Sequence, residues 1–261
     1  MKKVNASLKR LALVLVPILI GFTSDVFALS ASQAAVDKSH EAVAMIFVPG
    51  PDQDGSIVDA HCNATLINSK TLISAAHCFV QSTVLRGAPF RIEVGAYKYI
   101  EKNGQLIRVG YAVKQKYSTT AAVRFLPGIN PQNTTVPPDL DIVSVTLDTE
   151  LNLPADFPYA ELWSTALPKL DANSKLNIVS INYLETISNN DTKQFAYLNS
   201  FTQKNNQIES RSTARVAPGD SGAGVFATIN DRNYLIGVVK GKASTVFGNW
   251  DVLVTAQNRL N

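Results

Sequence analysis

Three short segments carry residue types that together could perform nucleophilic acyl chemistry: Leu72-Ile-Ser-Ala-Ala-His-Cys78, Asp139-Leu-Asp-Ile-Val-Ser-Val-Thr-Leu147 and Pro218-Gly-Asp-Ser-Gly-Ala-Gly-Val225. A serine hydroxyl is a weak nucleophile at neutral pH until a base removes its proton, and the oxyanion it generates needs preorganised donors. Ser221 is the candidate nucleophile. Gly219, having no Cβ, can adopt backbone angles that turn its N–H inward beside that of Ser221. Gly-Asp-Ser-Gly is also ordinary turn composition, so the motif alone leaves a plain turn open.

The base must titrate near neutrality, and the chain has three histidines, His40, His61 and His77. His77 follows the strand-like Thr71–Ser74 and a small Ala75-Ala76 pair, and it precedes Cys78, which could fix its backbone. His40 and His61 stand in polar, loop-like surroundings and read as solvated imidazoles. The third role, a buried carboxylate that fixes the imidazole tautomer and stabilises its cation, falls to Asp141 or Asp139. Alternation along Asp141, Val143, Val145 and Leu147 puts Asp141 on an apolar face, where an unpaired carboxylate would be costly and a partner is needed. Asp139 lies next to two prolines. Asp141 is favoured.

The elements that must position these residues are short strands. Runs rich in Val, Ile, Tyr and Phe recur at residues 42–48, 71–74, 141–147 and 234–239, separated by Gly, Pro, Asn and Asp clusters and without long helical periodicity. An all-β barrel or sandwich follows, with a turn at 75–79 and a short helix at 252–260. Prolines mark surface loops at 125–138 and 151–158, and the second reads as a linker between two β-domains.

The first 28 residues have the layout of a secretory signal: Lys2, Lys3, Lys9 and Arg10, then an apolar run from Leu11 to Phe22, then small residues suited to cleavage before Leu29 or Ala31. The run is shorter than the roughly 20 residues that a spanning helix needs. These four cations against Asp25 supply the whole formal charge of +3, so the remainder is neutral. A neutral chain lacks the clustered cations that nucleic acid or anionic membranes demand, and neither partner is expected. An exported chain with two cysteines, Cys62 and Cys78, invites a disulfide closing a loop of about 17 residues. No Cys-x-x-Cys or His-x-x-x-His spacing suggests a metal site.

Cys62-Asn-Ala-Thr-Leu-Ile-Asn-Ser-Lys-Thr-Leu-Ile-Ser-Ala-Ala-His-Cys78, Asp141-Ile-Val-Ser-Val-Thr-Leu147 and Gly219-Asp-Ser-Gly222, in the order His, Asp, Ser, resemble the motifs of trypsin- and chymotrypsin-like serine endopeptidases. The resemblance covers roughly residues 40–255. It implies two perpendicular six-stranded antiparallel β-barrels, 29–155 carrying His77 and Asp141, and 156–261 carrying Ser221 and the specificity pocket. It further implies a His77–Asp141–Ser221 triad, oxyanion donors at Gly219 and Ser221, and Cys62–Cys78 as the disulfide of the histidine loop. The expected protein is a secreted or periplasmic monomer that cleaves peptide or protein substrates through an acyl-enzyme, without cofactor.

Four departures from the family pattern bear on function. No Arg/Lys-Ile-Val-Gly-Gly activation sequence is present, so the N-terminal ammonium that pairs with Asp220 would have to come from signal removal at Leu29. Arg215 occupies the base of the specificity pocket, and Lys240 and Lys242 flank its wall; this basic set suits Asp or Glu substrates, unless the long side chains turn to solvent. Lys240 also replaces a serine that supports the triad aspartate, and Ala223-Gly224 replaces Gly-Pro. These last changes leave an inactive relative that binds partners as the alternative. Glycosylation sequons occur at Asn63, Asn133 and Asn190.

Overall fold

A computed structural model describes residues 35–36, 40–102, 105–163, 175–181, 193–198, 201–204, 207–210, 216, 219–230, 232–241 and 244–247. The signal segment, Leu29 and the helix expected at 252–260 lie outside the described residues. Within them the regular elements are strands and two short 3-10 turns, Ala76–Cys78 and Thr83–Arg86.

The strands are β1 (Ala35–Val36), β2 (Val43–Pro51), β3 (Ile57–Asn68), β4 (Thr71–Ser74), β5 (Phe90–Lys102), β6 (Gln105–Thr119), β7 (Ala121–Phe125) and β8 (Val143–Leu147), followed by β9 (Glu161–Leu162), β10 (Lys175–Ile181), β11 (Lys193–Leu198), β12 (Phe201–Lys204), β13 (Gln207–Ser210), β14 (Gly224–Ile229), β15 (Arg232–Gly241) and β16 (Ser244–Phe247). Among the described residues they form two sheets. One has seven strands in the order β6-β5-β2-β3-β4-β8-β7; the other has nine, ordered β1-β11-β10-β14-β15-β16-β13-β12, with β9 beside β15. Among the described residues only the β9–β15 pair is parallel. The apolar runs at 42–48, 71–74 and 234–239 thus fall on β2, β4 and β15.

Strand alternation explains why the runs are continuous rather than every second residue. On β2, Ala44, Ile46 and Val48 face the core of the seven-stranded sheet. Val43, Met45 and Phe47 face the other way, into a second buried cluster with Val179, Ile181, Phe226, Leu235 and Val238 of the nine-stranded sheet. The opposite faces of β10, β14 and β15 supply Leu176, Ile178, Val225, Ala227 and Ile236 to a third cluster. The two sheets therefore share an apolar seam, and strands at the seam are buried on both faces.

The proline-rich stretch 151–158 has no regular structure, yet Leu151 is buried and Leu153 and Phe157 pack against the first core. Immediately beyond it, β9 joins the nine-stranded sheet, so the chain passes from one sheet to the other here. The loop after β7 likewise buries Leu126 and Val136.

Cys62 on β3 and Cys78 at the end of the Ala76–Cys78 turn form a disulfide sixteen residues apart in sequence. Both are buried. In the chain-entropy picture, closing a loop of this length limits the unfolded chain by roughly 3 kcal/mol. Replacing both cysteines by serine should lower the unfolding free energy by about that amount, read as a reduced denaturant midpoint at unchanged slope; a midpoint equal to that of the native chain would contradict it.

Candidate active site

The three residues with chemical promise come from three places, and strand pairing explains two of them. β4 and β8 are antiparallel, with Ser74 opposite Val143. The end of β4 therefore lies beside the start of β8. His77 follows Ser74 by three residues and Asp141 precedes Val143 by two, so both emerge at the same edge. Ala75 and Ala76 are completely buried, and bulkier side chains could not occupy this crossing.

Asp141, with 1% of its surface exposed, accepts two hydrogen bonds from His77: one from the backbone N–H to Oδ1 at 2.8 Å, and one at the ring Nδ1 to Oδ2, also 2.8 Å. The double contact satisfies the buried carboxylate and fixes both the backbone and the ring of the histidine. With Nδ1 donating, Nε2 is left as the acceptor, and it lies 2.8 Å from Ser221 Oγ. Asp139 is only partly buried and lies outside this line.

Ser221 sits in the turn ahead of β14. Gly219 has φ +100° and Gly222 φ +79°, both in the region that L side chains rarely adopt. A Cβ on Gly222 would also lie 2.1 Å from the carbonyl oxygen of Asn63 and 2.4 Å from Ser74 Oγ, so the turn is pressed against β3 and β4. Four backbone hydrogen bonds hold it there. Asn63 N–H donates to Ser221 O, Gly222 N–H to Val239 O, Ala223 N–H to Asp220 O, and Val239 N–H to Ala223 O. Gly224 stands where a Cβ would come within 2.7 Å of Thr65 Oγ1, which accounts for the absence of a larger residue there.

Asp220 is fully buried and accepts from Ser180 Oγ at 2.6 Å. The sequence does not single out Ser180, and it marks Asn63 only as a sequon. Their signal was present but quiet: each is a polar residue inside an apolar strand buried on both faces, where it must find partners. Asn63, being completely buried, offers no acceptor for glycosylation in the folded chain, whereas Asn133 is exposed; Asn190 lies outside the described residues.

The expectation that His40 and His61 are solvated fails. His40 is buried with its ring 4.5 Å from that of Phe226, and His61 packs edge-on against Phe47 at 5.3 Å. The reason lies in their polar flanks, which mask positions where β3 and the segment leading into β2 meet the second sheet. His61 also lies against the nucleophile turn, with Nδ1 3.4 Å from where a Gly219 Cβ would project. Of the expected pocket cations, Lys240 is half-buried at the end of β15, and Arg215 and Lys242 lie outside the described residues. Among the described residues, the one His/Cys/Asp/Glu group compact enough for a metal ion comprises Cys62, His77 and Cys78, and its thiols are consumed by the disulfide.

No curated protein matches the chain. The family model described as Trypsin matches residues 33–256, which includes both sheets and all three site segments. On that match, covering most of its length, the chain belongs to the trypsin family and its two all-β halves are the double barrel of that fold.

Proposed function

We propose that the protein is a secreted serine endopeptidase that cleaves peptide bonds through Ser221, His77 and Asp141. The observation that carries this reading is the unbroken line Asp141–His77–Ser221, with 2.8 Å at each step. Ser221 Oγ attacks the peptide carbonyl as His77 Nε2 takes its proton, and Asp141 stabilises the imidazolium that results. The N–H groups of Gly219 and Ser221 receive the oxyanion. His77 then protonates the leaving amine, and water, activated by the same imidazole, releases the acyl group.

Substituting Ser221→Ala should leave the fold intact and lower turnover by about four to six powers of ten. A serine-directed phosphonate should label Ser221 of the native chain and fail on a His77→Ala variant. Absence of both hydrolysis and labelling in the native chain would identify the protein instead as an inactive relative that binds partners.

For specificity we propose that Arg215, Lys240 and Lys242 form a basic pocket that selects Asp or Glu before the cut through charge-assisted hydrogen bonds. A peptide library should return cleavage enriched after acidic residues. Cleavage with no such enrichment excludes the pocket.

Export is supported by the basic-then-apolar start of the sequence and by the disulfide. No helix among the described residues is long and apolar enough to cross a membrane. We further propose that signal removal frees Leu29 and that its ammonium joins Asp220. Strand register supports this reading: Val36 and Ser180 both lie opposite Gln194, so Val36 is two strands, about 10 Å, from the residue bonded to Asp220. Seven extended residues from Leu29 to Val36 reach up to about 25 Å. Mass spectrometry of the mature chain should find a start at Leu29, and a start at Ala31 or later removes this role.

A further inference from the structure

Asn63, on β3 beside the disulfide, has no exposed surface, and all of its polar groups are engaged. Its side-chain amide donates to the carbonyl oxygen of Gly219 at 2.8 Å and is shared with Ser180 Oγ at 3.2 Å and Ile181 O at 3.4 Å. Oδ1 accepts from Ile181 N–H at 2.8 Å. The backbone N–H donates to Ser221 O at 2.7 Å, and the carbonyl accepts from Ser74 Oγ at 2.6 Å. One residue of the seven-stranded sheet thus grips the nucleophile turn on both sides of Asp220.

A peptide unit is rigid and planar, so fixing its carbonyl fixes the N–H on its far side. The Asn63 amide fixes the plane joining Gly219 to Asp220. Ala223 N–H, bonded to Asp220 O, fixes the next plane, whose N–H is that of Ser221; Asn63 N–H and Gly222 N–H fix the plane after that. The orientation of the Ser221 N–H follows from these anchors, and the φ of +100° at Gly219 sets the angle between its own N–H and the anchored Gly219–Asp220 plane. The Gly219 anchor is the one that depends on a side chain from outside the turn.

We propose that Asn63 is a positioning residue for the oxyanion donors, holding Gly219 and Ser221 in the orientation that receives the developing negative charge. The role rests on the reading of Ser221 as the nucleophile. Asn63 touches neither substrate nor the reacting atoms. It acts by holding the Gly219–Asp220 peptide, which lies between the two peptides that carry the donor N–H groups; rotation of this middle peptide would change ψ of Gly219 and φ of Asp220 and so the angle at which the Gly219 and Ser221 N–H groups converge.

Two variants test this. Asn63→Ala removes the anchor; Asn63→Asp keeps the shape and the acceptor for Ile181 N–H, but once ionised it sets a carboxylate oxygen against the Gly219 carbonyl. For each, folding is checked by circular dichroism and thermal melting, and kcat and KM are measured on a peptide substrate across pH. Loss of one well-aimed oxyanion donor costs about 100-fold or more in kcat. Both folded variants are expected to lose kcat on that scale with KM within about threefold of the native value. The Asn63→Asp loss should deepen as pH rises, because the protonated acid can still donate to Gly219 O. His77, His61 and Asp220 are the ionisable groups near this position, and the Asn63→Ala profile, which adds no charge, supplies the baseline against which the Asn63→Asp profile is read.

A folded variant with kcat close to native, a rise in KM alone, or a pH-independent Asn63→Asp ratio overturns the positioning role. So does failure of both variants to fold, which would make Asn63 a folding residue. If the native chain neither hydrolyses peptide nor labels at Ser221, the proposed function itself falls and takes this role with it; an active native chain with undiminished variants sinks only the role of Asn63.

Discussion

The seam between the two sheets imposes the constraint on which the site depends: any polar group caught there is cut off from water and must find its partner inside the protein. Val43, Met45, Phe47, Val179, Ile181, Phe226 and Val238 supply the apolar filling. Asn63, Ser180, Asp220 and Asp141 are the polar residues enclosed near it, each with less than a few per cent of its surface exposed. Their hydrogen bonds are consequently long-lived and directional, and they tie together segments more than a hundred residues apart in sequence. The same exclusion of water that makes an unpaired carboxylate costly makes a paired one rigid. Asp141 illustrates this, because two bonds to one histidine leave that histidine a single orientation.

A sequence reveals such a site when chemistry and local pattern coincide. Asp141 could be chosen over Asp139 because alternation along a strand puts the former on the apolar face, and His77 could be chosen because a strand, two alanines and a cysteine surround it. Strand positions at 42–48, 71–74 and 234–239 were readable from β-branched runs between turn residues. What escaped was everything that depends on the second face of a strand. His40 and His61 have polar residues near them in sequence but aromatic neighbours in space, Phe226 of the other sheet for His40 and Phe47 of the adjacent strand β2 for His61, and no short window along the chain contains these pairs. Asn63 stood out only as a sequon for the same reason, since its partners are Gly219 of the nucleophile turn and Ile181 of the other sheet.

The electrostatics of the site are local. Residues 29–261 carry no net charge, so they offer little long-range steering of a charged substrate, and any preference must arise from groups that meet the substrate at contact distance. Lys240 at the end of β15 is placed on the strand that also anchors the nucleophile turn through Val239. Recognition and nucleophile positioning would then share one strand, which makes substitutions at this end of β15 poor candidates for changing specificity without touching turnover.

β3 presents three consecutive residues with three different obligations: His61 packs on Phe47 and lies against Gly219, Cys62 is covalently tied to the histidine turn, and Asn63 holds the nucleophile turn. Stability in proteins is distributed among units that open separately, and binding loops usually belong to the weakest of them. Here the nucleophile turn is bonded to a central strand with sheet neighbours on both sides. The Gly222 N–H, bonded to β15, and the Asn63 N–H of β3, bonded to the turn, should therefore exchange with solvent only when the sheets themselves open, so heat would abolish the site and the fold in a single event instead of passing through a folded protein with a loosened active centre.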